Sequence, residues 1–163
     1  LAEYGYHRYE ISNYAKEGYE CRHNLGYWER KEYLGLGLGA ASLLRTPEGD
    51  VRFHNTADRK KYMECFQEKA GRNDTEPAAE EIELLGTEEQ MEEFMFLGLR
   101  KTAGIAEHDF FQAFGRRIGD VYGAQIEKLS GLGLLERFGG RVRLTERGID
   151  ISNSVFCEFL SDP

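Results

Sequence analysis

Residues 134–145 read LLERFGGRVRLT and carry the clearest secondary-structure signal in the chain. Two runs with alternating apolar side chains, Leu134–Phe138 and Arg141–Thr145, flank the pair Gly139-Gly140. A two-residue hairpin turn of the primed type needs a positive φ at both central positions, and glycine adopts that conformation without steric cost. The stretch therefore predicts a β-hairpin, around which the rest of the C-terminal half can be placed.

The residues before this hairpin read as helices. Thr87-Glu88-Glu89-Gln90 is a capping box, and the apolar side chains that follow it recur at helical spacing. Two glycines, Gly115 and Gly131, predict the ends of two further helices over about 107–114 and 120–130. The pattern therefore predicts three helices ahead of the hairpin.

One more helix is predicted after the hairpin. Thr145 is a suitable N-cap, and Ile151, Val155 and Phe159 then fall on one side of the helix. Three helices, a two-stranded wing and a closing helix predict a mainly helical, winged-helix-like domain over residues 87–163.

The charge of the chain is concentrated just upstream of that domain. The formal net charge is -8, and residues 74–93 hold nine acidic side chains and no lysine or arginine. Such a run is typical of a solvated connector or helix face, and it argues against general affinity for nucleic acid. We therefore predict an acidic linker at 71–86 that separates residues 1–70 from the C-terminal domain.

Residues 1–55, within the first of these segments, have a different character and are rich in tyrosine and glycine. Tyr6–Ser12 and Tyr33–Leu38 read as strands. The connection between them, Asn13 to Glu32, shows no evident periodicity, and a connection of about twenty residues inside a compact domain is more often functional than decorative.

The three cysteines, Cys21, Cys65 and Cys157, form no CxxC pair, so neither a disulfide framework nor a zinc site is predicted. No apolar stretch approaches the roughly 20 residues that span a bilayer, and no signal-peptide pattern follows Leu1. We therefore expect a cytoplasmic protein, whose residues before Leu1 are missing from this chain.

The connection contains the most distinctive hexapeptide, His23-Asn24-Leu25-Gly26-Tyr27-Trp28, directly after Arg22. A neutral imidazole can ligate haem iron, Tyr27 and Trp28 could offer flat apolar surface, and Arg22 could pair with a propionate. A single histidine in an aromatic loop is also commonly a hydrogen-bonded structural residue. The residues alone leave both interpretations open.

A second candidate site is glycine-rich. Gly35, Gly37 and Ala40 formally satisfy the GxGxxG/A pattern of dinucleotide-binding loops. That interpretation requires a helix directly afterwards, but a turn signal follows at Thr46-Pro47. A glycine-rich strand end, against which a ligand or another strand packs tightly, is the better interpretation.

Three segments together resemble the oxygen-independent coproporphyrinogen III oxidase-like radical-SAM family: Tyr9–Ala15, Glu20–Trp28 and Tyr33–Ala40. In particular, His23-Asn24-x-x-Tyr27-Trp28 is similar to the HNxxYW haem-binding motif of its haem-chaperone branch. Residues 81–163 are similar to the family's C-terminal domain. The resemblance therefore covers nearly the whole chain.

The resemblance implies an α+β fold, in which the last strands of a partial (β/α) radical-SAM barrel precede the winged-helix-like domain. It implies haem ligation by His23, with Asn24, Tyr27, Trp28 and Arg22 around the haem. It also implies that Gly37, Gly39 and Ala40 line the S-adenosylmethionine pocket. The CxxxCxxC motif of the four-iron cluster is absent from this chain, so we expect no cluster binding and no oxidoreductase activity by the chain alone.

Two other functions compete with a haem-chaperone fragment. One is a fragment of a genuine coproporphyrinogen III oxidase of porphyrin biosynthesis. The other is a winged-helix nucleic-acid-binding module, because residues 110–149 carry seven lysines and arginines against four acids. The predicted recognition helix offers chiefly Gln125 and Lys128 to base edges, so nucleic acid is not expected as a partner.

The expected partners follow from the resemblance and from the expectation that residues before Leu1 are missing. They are the missing N-terminal half of the barrel, haem, and haem-accepting membrane proteins. Barrel strands without their neighbours would leave unpaired edges and apolar faces, so we also expect this chain to self-associate.

Overall fold

The computed structural model describes residues 1–67 and 79–161. The chain divides into two compact units: unit 1 consists of Leu1–Arg30 and Thr87–Pro163, and unit 2 of Lys31–Gly86. Residues 1–30 therefore cluster with the C-terminal residues, whereas the sequence grouped them with residues up to 70. The division into 1–70, 71–86 and 87–163 stays a prediction about the domains of a longer protein.

The structure is a mixed α/β fold. Its strands are β1 His7–Arg8, β2 Tyr14–Ala15, β3 Ala41–Thr46, β4 Gly49–Asn55, β5 Ala79–Leu85, β6 Ile105–Ala106, β7 Leu135–Phe138 and β8 Arg141–Leu144. Its α-helices are α1 Arg22–Trp28, α2 Arg59–Gln67, α3 Thr87–Gly98, α4 Glu107–Phe114, α5 Ile118–Gly131, α6 Glu146–Asp150 and α7 Ser152–Cys157.

The predicted hairpin is confirmed in unit 1. β7 and β8 are antiparallel, and the turn residues Gly139 and Gly140 have φ values of 59° and 71°. β6, which the sequence did not reveal because it is only two residues long, pairs with the other edge of β8. The C-terminal part of unit 1 thus runs α3, β6, α4, α5, β7, β8 around a three-stranded sheet.

A single apolar core fills this part of unit 1. Helices α3, α4, α5 and α7 and the sheet each contribute to it, and its most buried side chains include Met95, Leu99, Phe110, Val142 and Val155. Full burial of one such side chain stabilises the fold by about 1.5–3 kcal/mol. Met95 and Val155, two of the side chains whose spacing predicted helices, are therefore fully buried in this core.

The last predicted helix is present but broken. Thr145 Oγ1 accepts a hydrogen bond from Gly148 N at 3.0 Å, which confirms the N-cap. Ile151 has φ -121°, which separates α6 from α7, and its side chain is exposed. The prediction that Ile151 packs on the same side as Val155 and Phe159 is therefore wrong, although the latter two are buried.

The two predicted barrel strands are also corrected. Tyr6–Ser12 contributes only β1, which pairs antiparallel with β2. Tyr33–Leu38 is not a strand: only Tyr33 forms a bridge, to Leu43, and Gly37 has a φ of 105°, which breaks the extended conformation. Within residues 1–67 and 79–161 every strand pairing is antiparallel, and no closed barrel forms.

Unit 2 contains an antiparallel sheet of order β3-β4-β5. The turn predicted at Thr46-Pro47 is confirmed, since β3 ends at Thr46 and β4 begins at Gly49 in one hairpin. Residues 79–85 of the predicted acidic linker form β5, Gly86 follows that strand, and residues 71–78 lie outside the described residues. Acidic side chains of β5 lie near cations of neighbouring elements; for example, Glu83 Oε2 lies 3.8 Å from Arg52 Nη1. These contacts explain how an acidic segment can pair as a strand.

None of the helices within the described residues combines the length and the apolar character that crossing a bilayer requires.

Candidate functional site

The distinctive hexapeptide lies in α1, a helix of unit 1. The predicted irregular connection from Asn13 to Glu32 therefore contains both β2 and α1. The helix spans only Arg22–Trp28 and carries Gly26 in its middle, so it is too short to show a periodicity in sequence. Helices of this length are not stable alone in water and depend on tertiary contacts.

His23 lies on the first turn of α1 and is exposed, as is Arg22. Its ring meets the ring of Tyr27 edge to face, with centroids 4.7 Å apart and planes at 78°. This is the contact expected of side chains four residues apart on a helix. Asn24 and Tyr27 are half-buried. The structure therefore brings the imidazole and one aromatic ring together at a surface that solvent reaches.

Trp28 lies at the other end of α1 and is also half-buried. The guanidinium carbon of Arg100 lies 4.4 Å from the centroid of its ring, which is a cation–π contact. One face of the indole is thus covered by Arg100. Tyr27 is consequently the aromatic residue of the motif that stands beside His23.

The residues directly after Trp28 fasten α1 to α3 and to the chain that follows α3. Arg30 Nε donates to Glu93 Oε2 at 3.0 Å, and both residues are buried. Arg30 has a φ of 50°, an unfavourable conformation for a residue with a side chain. Lys101 Nζ lies 3.6 Å from Glu29 Oε1. Burial lowers the pKa of Lys101, and Glu29 partly offsets that effect.

The segment 100–102 also holds the N-terminal strand region. Ile11 N donates to Arg100 O at 3.0 Å, and Thr102 N donates to Tyr9 O at 3.1 Å. Thr102 Oγ1 donates to Arg8 O at 3.1 Å. Residues 100–102 therefore bind both the chain that precedes the predicted connection and the end of α1 within it, and they position α1 relative to the C-terminal core.

Sequence reasoning did not identify Arg30, Glu93 or Lys101 as residues that position the motif. One signal was available for Glu93, since it stands between the apolar positions Met91 and Met95 of α3. An acid on a buried helix face requires a cation or donors as partners. The sequence does not reveal that the partner lies at residue 30.

The glycine-rich candidate residues lie in unit 2. Gly37 and Gly39 have φ values of 105° and 64°. Asn55 Nδ2 donates to Gly35 O at 3.1 Å and to Gly37 O at 2.9 Å. A Cβ on Gly35 would lie 2.1 Å from Ala41 O, so this position has no room for a side chain. The tight backbone packing explains Gly35, and the positive φ values explain Gly37 and Gly39. A ligand role for Gly37, Gly39 and Ala40 stays a prediction.

No cluster of three or more His, Cys, Asp or Glu residues suitable for a metal ion occurs within residues 1–67 and 79–161. Cys21 precedes α1, Cys157 ends α7 and Cys65 lies in α2, and all three are free thiols. These residues therefore do not fit a four-iron cluster. His23 fits a different role, that of a single axial ligand to an iron already held by a porphyrin.

Comparison with known proteins places the chain among haem-related relatives. The family described as "HemN C-terminal domain" matches residues 85–151. "Heme chaperone HemW" of Bacillus subtilis (strain 168) is 38% identical over 162 residues, and that of Lactococcus lactis subsp. lactis (strain IL1403) is 35% identical over 162 residues. "Heme chaperone HemW" of Escherichia coli (strain K12) is 31% identical over 163 residues.

Each of these three matches covers 99% of this chain but 40% of the relative, so the chain spans less than half the length of the proteins it resembles. Among solved structures, the coproporphyrinogen III oxidase HemN of Escherichia coli, described as a radical SAM enzyme, matches with a TM-score of 0.59. That match covers 97% of this chain and 32% of the other chain at 17% identity, and it shows similarity of fold alone.

Proposed function

We propose that this chain is part of a haem chaperone, because it is similar over 99% of its length to relatives named "Heme chaperone HemW". In this proposal His23 ligates the haem iron, and the complete protein passes haem to haem proteins, including membrane proteins. The missing N-terminal barrel half, with its four-iron cluster, would assist or control that transfer.

One observation carries the proposal: His23 is exposed beside Tyr27 on a helix that is locked to the core behind it. Neutral imidazole is a common axial ligand of haem iron. No hydrogen bond or ion pair engages the imidazole within the described part of the chain. Ligation of iron by His23 would therefore disturb only the ring contact between His23 and Tyr27.

The neighbouring residues suit the remaining parts of a haem molecule. Tyr27 offers an aromatic ring to the porphyrin, and the exposed guanidinium of Arg22 can pair with a propionate. Asn24 adds an amide on the same helix. Bound haem would supply an iron with a free axial position, while the chain supplies the imidazole and the surrounding surface.

Two further expectations belong to this proposal, one about the S-adenosylmethionine pocket and one about the winged-helix-like module. Gly37, Gly39 and Ala40 would form a wall of an S-adenosylmethionine pocket that the other half of the protein completes. The C-terminal module would use its winged-helix-like order of elements for packing within the protein and not for nucleic acid, since Arg137 and Arg143 are already paired with Glu107 and Glu136.

A fragment of a genuine coproporphyrinogen III oxidase is the second candidate. The fold similarity to HemN of Escherichia coli favours it. The HemW relatives match this chain at 31–38% identity, against 17% for HemN, which favours the chaperone. A chain from the oxidase branch would not need an exposed axial ligand at position 23.

The test is a haemin titration followed by Soret absorbance, with His23→Ala and the matched control His108→Ala, which removes another exposed histidine of unit 1. We expect saturable binding and a shifted Soret band in the wild type and the control, and an affinity at least about tenfold lower in His23→Ala. Equal binding by His23→Ala and the wild type, or no binding by either, would contradict the proposal.

A further inference from the structure

Unit 1 contains a cleft of about 340 Å³ between α3, α5 and the chain that follows α7. Among the described residues, three carboxylates line it, those of Glu88, Glu92 and Asp120, against one guanidinium, that of Arg116. We call it the acidic cleft. Its volume lies at the lower end of the range of about 300–1,000 Å³ found for small-molecule sites.

Of the three carboxylates, Glu92 is the one that the fold does not explain. None of the three forms an ion pair within residues 1–67 and 79–161. Glu88 and Asp120 lie in the first turns of α3 and α5, where the helix dipole favours an acid. Glu92 lies one turn beyond Glu88, and like charges four residues apart repel each other. Glu92 therefore lacks a cation.

The carboxylate of Glu92 is held in place by the chain after α7. Ser161 N donates to Glu92 Oε1 at 3.0 Å, and the Ser161 hydroxyl donates to the same oxygen. Within the described part of the chain no donor engages Glu92 Oε2. The carboxylate is thus fixed in orientation and keeps one oxygen for a ligand.

An independent observation at the acidic cleft is the hydroxyl of Tyr122. Tyr122 lines the cleft although it is only 7% exposed. Its ring packs edge to face against Phe110 and Phe159, with centroids 6.1 and 5.5 Å away. Its hydroxyl makes no hydrogen bond within residues 1–67 and 79–161, and it is not sealed from solvent. A buried tyrosine hydroxyl usually has a partner, so a partner that enters from the cleft would complete it.

The charges around this hydroxyl favour a cation. Burial raises the pKa of Tyr122 to about 12, and Glu92 and Glu88 contribute in the same direction, while Arg116 opposes them with a smaller effect. The carboxylates therefore outweigh the guanidinium at the hydroxyl oxygen. No cluster suited to a metal ion occurs in the described residues. A tyrosine oxygen and a carboxylate can both accept from N–H donors, so the lining fits an organic cation.

We propose that the acidic cleft binds a primary ammonium group at the end of an aliphatic chain. The ammonium, which has three donors, donates to Glu92 and to the Tyr122 hydroxyl. Met91 and Leu160 line the same cleft and provide apolar contacts for the methylene groups. No residue of α1 lines the acidic cleft, so this inference does not depend on the proposed role in haem binding.

The test is a titration of the whole ¹⁵N-labelled chain with n-pentylamine and with 1-pentanol at pH 7 and low salt. It is followed by NMR through the backbone amide of Ser161, which donates to Glu92. The two probes share one aliphatic chain, and only the amine is charged. We expect the amine to bind at least about tenfold more tightly than the alcohol, because a charge-assisted hydrogen bond replaces a neutral one.

Three variants locate the site. Glu92→Gln, which keeps an acceptor for Ser161, should weaken amine binding at least about tenfold and leave the alcohol unchanged. Tyr122→Phe, which keeps the packed ring, should weaken amine binding by about three- to tenfold through the loss of one neutral hydrogen bond. The matched control Glu127→Gln, which removes an exposed acid of α5 outside the cleft, should behave as the wild type.

A third probe distinguishes two sources of the ammonium. Nα-acetyl-lysine methylamide presents it as a lysine side chain of a partner protein does, whereas n-pentylamine presents it as a free amine. The tighter of the two names the source, and either result supports the site. Equal affinity of the wild type for n-pentylamine and 1-pentanol, no binding of either ammonium probe, or an unchanged preference for the amine in Glu92→Gln would overturn the inference.

Discussion

Arg30 Nε lies 3.0 Å from Glu93 Oε2, and the two side chains are only 6% and 10% exposed. The pair joins the residue that follows α1 to the middle of α3. Buried ion pairs are weak stabilisers compared with apolar packing, but each partner is costly when it is left alone. The contact therefore acts mainly by fixing where α1 can lie.

Breaking this pair on one side should destabilise unit 1. Glu93→Gln removes the carboxylate that pairs with the buried guanidinium of Arg30, and we expect a loss of about 3–5 kcal/mol in the free energy of unfolding, measured by urea denaturation. Glu158→Gln, which breaks the exposed pair with Lys128, should cost less than about 1 kcal/mol. Similar losses in both variants would show that the buried pair has no special role.

Two glycines with the same backbone conformation should respond differently to alanine. Gly104 and Gly115 both have a φ of 65°. A Cβ at Gly104 would lie 2.2 Å from Val142 O, whereas a Cβ at Gly115 meets nothing within 4 Å. Gly115→Ala should therefore lower the free energy of unfolding by about 1–2 kcal/mol, because alanine disfavours this backbone conformation. Gly104→Ala should lower it clearly more, because the added Cβ also clashes. Equal shifts in the urea midpoint would contradict the predicted clash.

Alkaline pH should weaken unit 1 through Tyr122. Burial, with smaller contributions from Glu92 and Glu88, raises the pKa of Tyr122 to about 12 from an ordinary 10.0. The unfolded chain then loses the phenolic proton at a lower pH than the folded chain, so this contribution to stability is complete below pH 10 and is lost as pH rises towards 12.

The measurement is the urea midpoint at pH 9 and pH 11 for the wild type, Tyr122→Phe and Tyr19→Phe. Tyr122→Phe should show a smaller decline than the wild type, because its buried ring has no proton to lose. Tyr19 is 82% exposed, so Tyr19→Phe should decline as the wild type does. If the urea midpoint of Tyr122→Phe fell as much as that of the wild type, groups other than Tyr122 would cause the loss of stability.

Self-association should involve the leucines that precede β3. Leu34, Leu36 and Leu38 are all exposed, and Leu36 is 85% exposed. Exposed apolar side chains in one short segment favour contact between copies. We expect light scattering to show association at high concentration, and Leu36→Ser to reduce it, whereas Tyr19→Ser should have little effect. A clean monomer in the wild type would contradict this.

Much of the C-terminal part of unit 1 could be predicted because its signals are local. The capping box, Gly115 and the pair Gly139-Gly140 each mark an end or a turn within a few residues. The strand predicted at Tyr33–Leu38 failed for a physical reason, since alternating glycines and leucines imitate a half-buried strand while Gly37 and Gly39 adopt positive φ.

The residues of the candidate site could be predicted from the sequence, but the helix that carries them could not. The motif around His23 marks the segment, but α1 is too short for a periodic pattern and depends on contacts made by Glu93 and Lys101. Such contacts join residues far apart in sequence, and composition gives no information about them. The acidic cleft also joins residues that lie far apart in sequence, so no local pattern could indicate it.

The Arg30–Glu93 contact also makes the intervening chain an insertion within unit 1. Thr87 begins the same helix as Glu93, about 9 Å along its axis at 1.5 Å per residue. An extended residue spans about 3.3 Å, so a short connector could join Arg30 to Thr87 in place of Lys31–Gly86. Insertions and deletions between those two points can therefore be large without moving α1, and a shortened protein of this kind would be a convenient scaffold for grafting other segments.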